Sequence, residues 1–289
     1  MKKKAAMHGF AATATVMWAL GYVMTRIAVR HFTVEAVSFL RYFVAAITLF
    51  IFAVIKKMHP PKLKDVPLFF LGGAIGFAVY VYAINAGSKT LTASVVSFIV
   101  SASPIVTALL ARVFLREKIG VAGWASVACA FSGVAVMTWF NGGFSFSSGT
   151  IWICLAMVLI STYNVFQRKL LQRYSPLEIT TYCVIAGAAL LSIFAPQSFP
   201  QLFSAAPEAI LAIAILGVFA AATAYLCWSC ALSKAEMTNE VTNYMFATPI
   251  LTTFMGFLII AEAPHVSVYI GGALVLAGVL LINLRKKTQ

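Results

Sequence analysis

A tryptophan, several tyrosines and two amides stand inside long apolar runs of this 289-residue chain. Trp18 falls near the middle of such a run, and Tyr22 follows one turn later on the same side of a helix. Tyr80 and Tyr225 lie deep in their own runs, Tyr244 near the start of another, and Asn164 and Gln167 stand one turn apart. A phenol or indole set in hydrocarbon needs a hydrogen-bond partner, and an amide needs several. These side chains are therefore expected to face the inside of a bundle, whereas Trp139, Tyr174 and Tyr269 read as interfacial anchors. The chemistry on offer is neutral: stacking, donating and accepting.

Ser94, Ser97 and Ser101 recur at helical spacing, with Ala108 continuing the face. Two readings stand side by side. Small residues let helices pack closely and serines bond their own backbone, or the hydroxyls line a cavity; Ser97 and Ser101 are the candidates for the second. Pro104 and Pro249 each remove a backbone donor and leave a carbonyl to be satisfied elsewhere, which marks them as candidate hinges.

What is missing narrows the chemistry. The lone aspartate, Asp65, falls in a connector, and Glu35, Glu117, Glu178, Glu208, Glu236, Glu240 and Glu262 fall at or near the ends of apolar runs. A carboxylate at mid-depth is the usual handle of a proton-coupled exporter of organic cations, and none is placed there. His8, His31, His59 and His265 are also terminal, so no Ser–His pair forms at depth. The Cys227-Trp-Ser-Cys230 spacing sits in an apolar helix without a second pair, where a thiol acts as a small hydrophobe. No enzyme activity, cofactor or metal is expected.

These residues need helices to hold them. The chain is 62% hydrophobic and 10% charged, and a run of about 20 apolar residues crosses a bilayer as a helix. Ten spans are predicted, at 9–28, 36–55, 67–86, 93–114, 121–140, 149–166, 177–195, 207–232, 238–260 and 266–284. Short connectors with breakers join them, among them 59–65, 141–149 and 196–200. No stretch is long and polar enough for a separate soluble domain, and the first span reads as a retained helix. The net charge of +13 raises nucleic acid as a partner, but its placement argues against it. All the basic residues except Arg26, Arg30, Arg41 and Lys89 fall on one side of this topology, and Arg41 lies within a span. That bias predicts a multi-pass protein of the cell (inner) membrane with both termini cytoplasmic, some of its charges meeting anionic lipid.

A shift of 145 positions carries Pro104-Ile105 onto Pro249-Ile250 without a gap. The same shift sets Gly72 on Gly217, Tyr80 on Tyr225, Lys89 on Lys234, Glu117 on Glu262 and Gly133 on Gly278. The expected architecture is an all-α membrane protein of ten transmembrane helices built as two five-helix repeats, 1–145 and 146–289. Five is odd, so the second repeat must be inverted, the build that offers one site to either side of a membrane in turn.

The segment from Tyr80 to Glu117, closing P-I-x-T-A-L-L-x-x-x-F-L-R-E, resembles the hallmark stretch of the EamA-type transporters of the drug/metabolite transporter superfamily. Trp18-Ala-Leu-Gly-Tyr22 and Arg41-Tyr42 are similar to that family as well, with Ala19 where the family often has glycine. The resemblance implies a ten-helix secondary transporter, most often an exporter of amino acids or other small metabolites. The candidate substrate contacts are Trp18, Tyr22, Tyr80, Ser97, Ser101, Asn164, Gln167, Tyr225 and Tyr244. Expected partners are a small-molecule substrate and membrane lipid, with the protein a monomer or homodimer. The alternative is a non-transporting scaffold or lipid-handling protein.

Overall fold

In the computed structural model the chain is described at residues 2–103, 105–107, 109–110, 124–125, 128–129, 131–133, 135–136, 148–235, 241 and 243–285. These residues are largely helical, with no strand among them. Helices α1 (Lys2–His31) and α2 (Val34–Ile55) are followed by α3 (Val66–Gly73) and α4 (Val79–Ser88), which a wide π turn at Ala74–Ala78 joins into one rod. After α5 (Ala93–Ser101) come α6 (Ser148–Leu170), α7 (Pro176–Leu191) and α8 (Ala195–Ser204). The chain then forms α9 (Pro207–Ile215) and α10 (Ala224–Lys234), joined by a second π turn at Leu216–Thr223, before α11 (Ala247–Ile260) and α12 (Val266–Arg285). Among the described residues, six helical stretches are long and apolar enough to cross a membrane: Lys4–His31, Val34–Ile55, Leu63–Ser88, Ser148–Gln167, Pro176–Ser204 and Pro207–Lys234. Shorter apolar helices at Ala93–Thr107, Ala247–Ile260 and Val266–Gly278 overlap three further predicted spans. Most of the span at 121–140, Pro104 and the start of the span at 238–260 lie outside the described residues.

Local chemistry sets the helix ends. The Thr33 and Thr92 hydroxyls accept from the amides of Ala36 and Val95, and Ser175 with Glu178 closes a reciprocal capping box before the first turn of α7. At the end of α2, Lys57 takes a left-handed φ of 50° while the Met58 amide reaches back to the Ala53 carbonyl. Beyond it, the Tyr174 hydroxyl donates to Asp65 at 2.7 Å, and the carboxylate that accepts this bond raises the phenol's pKa. One predicted connector proves helical. The 196–200 segment lies within α8: Pro196 occupies the first turn, where its missing amide is not needed, and Pro200 is carried inside the helix. The Phe199 ring then packs edge-on against Phe39 and Phe43 of α2, each 5.6 Å away.

Packing between the halves is reciprocal. Helix α1 lies along α9 and α10, and α6 lies along α3 and α4. Helix α2 crosses the π turn at Leu216–Thr223, while α7 crosses the one at Ala74–Ala78. Two glycines permit these crossings. A Cβ on Gly73 would stand 2.7 Å from the Gly187 amide nitrogen, and one on Gly217 would stand 2.5 Å from the Val44 Cβ. The outer surface carries large apolar side chains, with Phe50 60%, Ile55 67%, Phe254 61% and Phe257 59% exposed. In water such a surface would associate; in a bilayer it is the solvated face.

Candidate functional site

Both π turns sit immediately ahead of a tyrosine. A π turn carries an extra residue per turn and re-aims the side chains that follow it; here those include Tyr80 on α4 and Tyr225 on α10. The second turn is closed by the Thr223 hydroxyl, which donates 2.7 Å to the Val218 carbonyl five residues back. The 145-residue shift places Ala74–Ala78 within Leu216–Thr223, so the irregularity and its tyrosine occur in both halves.

The two tyrosines meet in one cavity of about 40 Å³ between the halves, room for a few water molecules. Helix α1 supplies Trp18, Gly21, Tyr22 and Thr25, and α6 supplies Ile160, Asn164 and Gln167. Arg41 enters from α2, Ile84 from α4, Val100 from α5 and Trp228 from α10, with Met245 at the base. Aromatic rings form a continuous wall: Trp18 touches Trp228 at 4.9 Å between ring centres and Tyr225 at 5.3 Å, and Tyr225 leads to Phe77 at 5.0 Å. Such tilted and edge-on contacts hold rings rigidly. The amide nitrogen of Gln167 donates 2.6 Å to the Ser229 hydroxyl, which in turn lies 3.1 Å from that of Thr180. This fixes one end of the Gln167 amide against α10 and α7.

Of the side chains expected to form a site, Trp18, Tyr22, Tyr80, Asn164, Gln167 and Tyr225 stand together on this cavity. Ser97 and Ser101 are buried on α5 and donate to their own helix, to the carbonyls of Ser94 and Phe98 at 2.8 and 2.7 Å. Tyr244 lies at the N-terminal end of α1, where its hydroxyl is 2.9 Å from His8 Nδ1. Pro249 is buried as the third residue of α11, just past a 3-10 turn at Asn243–Phe246. Arg41 shows in the sequence as a charge within a span, and spacing alone assigns it no site. Its position in hydrocarbon was the signal, because an ionised group there is rare unless it faces a cavity.

Arg41 is the cavity's cation. Its side chain is 6% exposed, and its Nε is buried without a hydrogen-bond partner. The guanidinium carbon lies 5.8 Å from the Tyr42 ring centre, and Tyr22, Tyr80 and Tyr225 line the same cavity. Among the described residues no carboxylate lines the cavity.

Two sets of contacts bound the cavity. Past Thr25, Arg26 Nε donates 3.2 Å to Glu262 Oε1, and its Nη1 donates to the carbonyls of Ser88 and Lys89 at 2.6 and 2.9 Å. The second carboxylate oxygen accepts from the Ala93 amide at 3.0 Å, so Glu262 ties α11 to both α1 and α5. Past Trp18, the other end is filled by Met7, Ala11, Ala14, Trp228, Val241 and Met245. A separate groove of about 600 Å³ opens outward between α2, α3 and α7, lined largely by apolar side chains such as Phe50, Val54, Phe70 and Ile185.

Comparison with known proteins gives one family. The profile described as the EamA-like transporter family matches the chain twice, at residues 6–139 and 147–284. The chain is 30% identical to the uncharacterised transporter YdfC of Bacillus subtilis over 270 residues, covering 93% of this chain and 88% of the relative. It is also 30% identical to a probable terminal-alkyne amino-acid exporter of Streptantibioticus cattleyicolor over 272 residues, covering 93% and 91%. A solved crystal structure superposes with a TM-score of 0.69 at 18% identity, covering 98% of both chains, which establishes likeness of fold.

Proposed function

We propose that this chain, which belongs to the EamA-like transporter family, is a secondary transporter exporting small neutral or zwitterionic metabolites such as amino acids by alternating access. The observation that carries this reading is the meeting of Tyr80 and Tyr225, equivalent residues behind equivalent π turns, in one cavity between the halves. Residues related by a two-fold axis meet only near that axis, and a site there is held by both repeats alike. A second such pair supports the same axis: the Cys129 thiol lies 3.3 Å from the Leu274 carbonyl, 145 residues on. The two matches of one family profile and the reciprocal packing of α1 and α6 favour repeats at 1–145 and 146–289. Ten spans with the second repeat inverted, both termini cytoplasmic and an inner-membrane location complete the proposed topology. The relative named a probable terminal-alkyne amino-acid exporter supports the substrate class.

In this reading Trp18, Tyr22, Tyr80, Asn164, Gln167 and Tyr225 contact substrate. Tyr244 closes one end, Ser97 and Ser101 let α5 pack against its neighbours, and Pro104 and Pro249 act as hinges. The protein works as a monomer or homodimer in lipid. Counter-flow in proteoliposomes tests the reading: preloaded unlabelled amino acid should draw in its labelled form. Absence of counter-flow across the proteinogenic amino acids would contradict it.

A further inference from the structure

We infer that Arg41 is a carboxylate anchor, so that the cavity takes carboxylate-bearing substrates and rejects their decarboxylated amines. This inference rests on the export reading and narrows its substrate class. A guanidinium stays protonated even when buried, and an unpaired buried charge strongly destabilises its surroundings. Yet Arg41 is 6% exposed, its Nε lacks a partner, and no carboxylate lines the cavity with it among the described residues. Chains in lipid rarely hold such a charge without a use for it. The planar fork of arginine matches a carboxylate with paired donors, and the free space beside it suits a group of that size better than a whole amino acid. The structure is thus a contracted form that must widen to admit the rest of a substrate.

The opposite charge has no matching host. A substrate ammonium meets the rings of Trp18, Tyr225 and Trp228 and the neutral amide of Asn164, but no carboxylate among the described lining residues. Ring faces attract a cation weakly beside a full charge pair. Adding an amine without a carboxylate would place two positive charges in one small cavity. The carboxylate therefore dominates recognition and the amino group is secondary.

The test measures thermal stabilisation of the purified protein in detergent by L-phenylalanine, 3-phenylpropionate and 2-phenylethylamine, because a ligand of the folded state raises its melting temperature. The expected result is stabilisation by both acids and none by the amine. In Arg41→Gln the acids should bind roughly tenfold to a hundredfold more weakly. Arg41→Lys keeps the charge but loses the fork, and should fall between. Equal stabilisation by the amine and 3-phenylpropionate, or an undiminished response in either variant, would overturn the assignment. So would failure of both acids to stabilise the wild type, whether or not Arg41→Gln folds. Counter-flow separates the two readings. If it persists without acid-dependent stabilisation, the anchor is wrong and export stands; if acids bind through Arg41 without counter-flow, export is wrong and the anchor stands.

Discussion

At one end of the cavity Arg26 and Glu262 share a pair that is 19% and 13% exposed and holds two carbonyls and an amide of the α4–α5 region. At the other end Met7, Trp228, Val241 and Met245 fill the space, with the His8–Tyr244 contact beside them. Parting the first exchanges hydrogen bonds for water and exposes little apolar surface. Parting the second exposes apolar area at about 25 cal/mol per Å². The Arg26 end should therefore answer to salt and to the loss of a charge, and the Trp228 end to the loss of volume.

The largest effect is expected from Trp228→Ala. Removing this buried ring, which also packs at a tilt against Trp18 with 4.9 Å between ring centres, should destabilise the fold by about 3–5 kcal/mol, read as a lower melting temperature. It should leave the salt response at the Arg26 end unchanged. Glu262→Gln comes next, with a loss of about 1–3 kcal/mol from a charge-assisted contact left half-made. A cysteine at Thr25 should label faster as salt rises in the parent protein, since salt weakens a partly exposed pair. In the Glu262→Gln background it should label fast at every salt concentration. A salt response that survives the substitution would show that charge does not close this end.

Smaller changes sharpen the contrast. Tyr244→Phe removes one hydrogen bond to His8 while keeping the ring, so stability should fall by about 1 kcal/mol and the Arg26 end should not respond. Ala261 precedes Glu262 with a φ of 50°, a left-handed conformation disfavoured for any residue with a Cβ. Ala261→Gly should raise stability by about 1 kcal/mol or less, seen as a slightly higher melting temperature. A fall would mean that the Ala261 methyl group matters to the latch.

Much of this arrangement was legible in the sequence because hydrocarbon is an unforgiving solvent. Apolar runs gave the positions of the described spans, and Trp18, Tyr22, Tyr80, Asn164, Gln167 and Tyr225 came together because a polar group at depth must find the bundle interior. The π turns were not legible, since no residue type specifies a bond five residues back. Two prolines make 196–200 look like a connector, although Pro196 stands in the first turn, where a proline breaks nothing, and Pro200 forfeits one backbone bond inside the helix without ending it. Serine spacing on α5 could not tell hydroxyls turned back onto their own helix from hydroxyls turned outward. Arg41 was in view, but periodicity does not say whether a charge within a span has a partner; that required the fold.

Alternating access requires one site to face the two sides of the membrane in turn. Asn164 is a direct reporter, because it lines the cavity away from both closing contacts. In a background with the five native cysteines replaced, Asn164→Cys should react with a membrane-impermeant thiol reagent applied from either side in separate experiments. Substrate should protect it from both. Reaction from one side alone, with or without substrate, would contradict alternating access through this cavity.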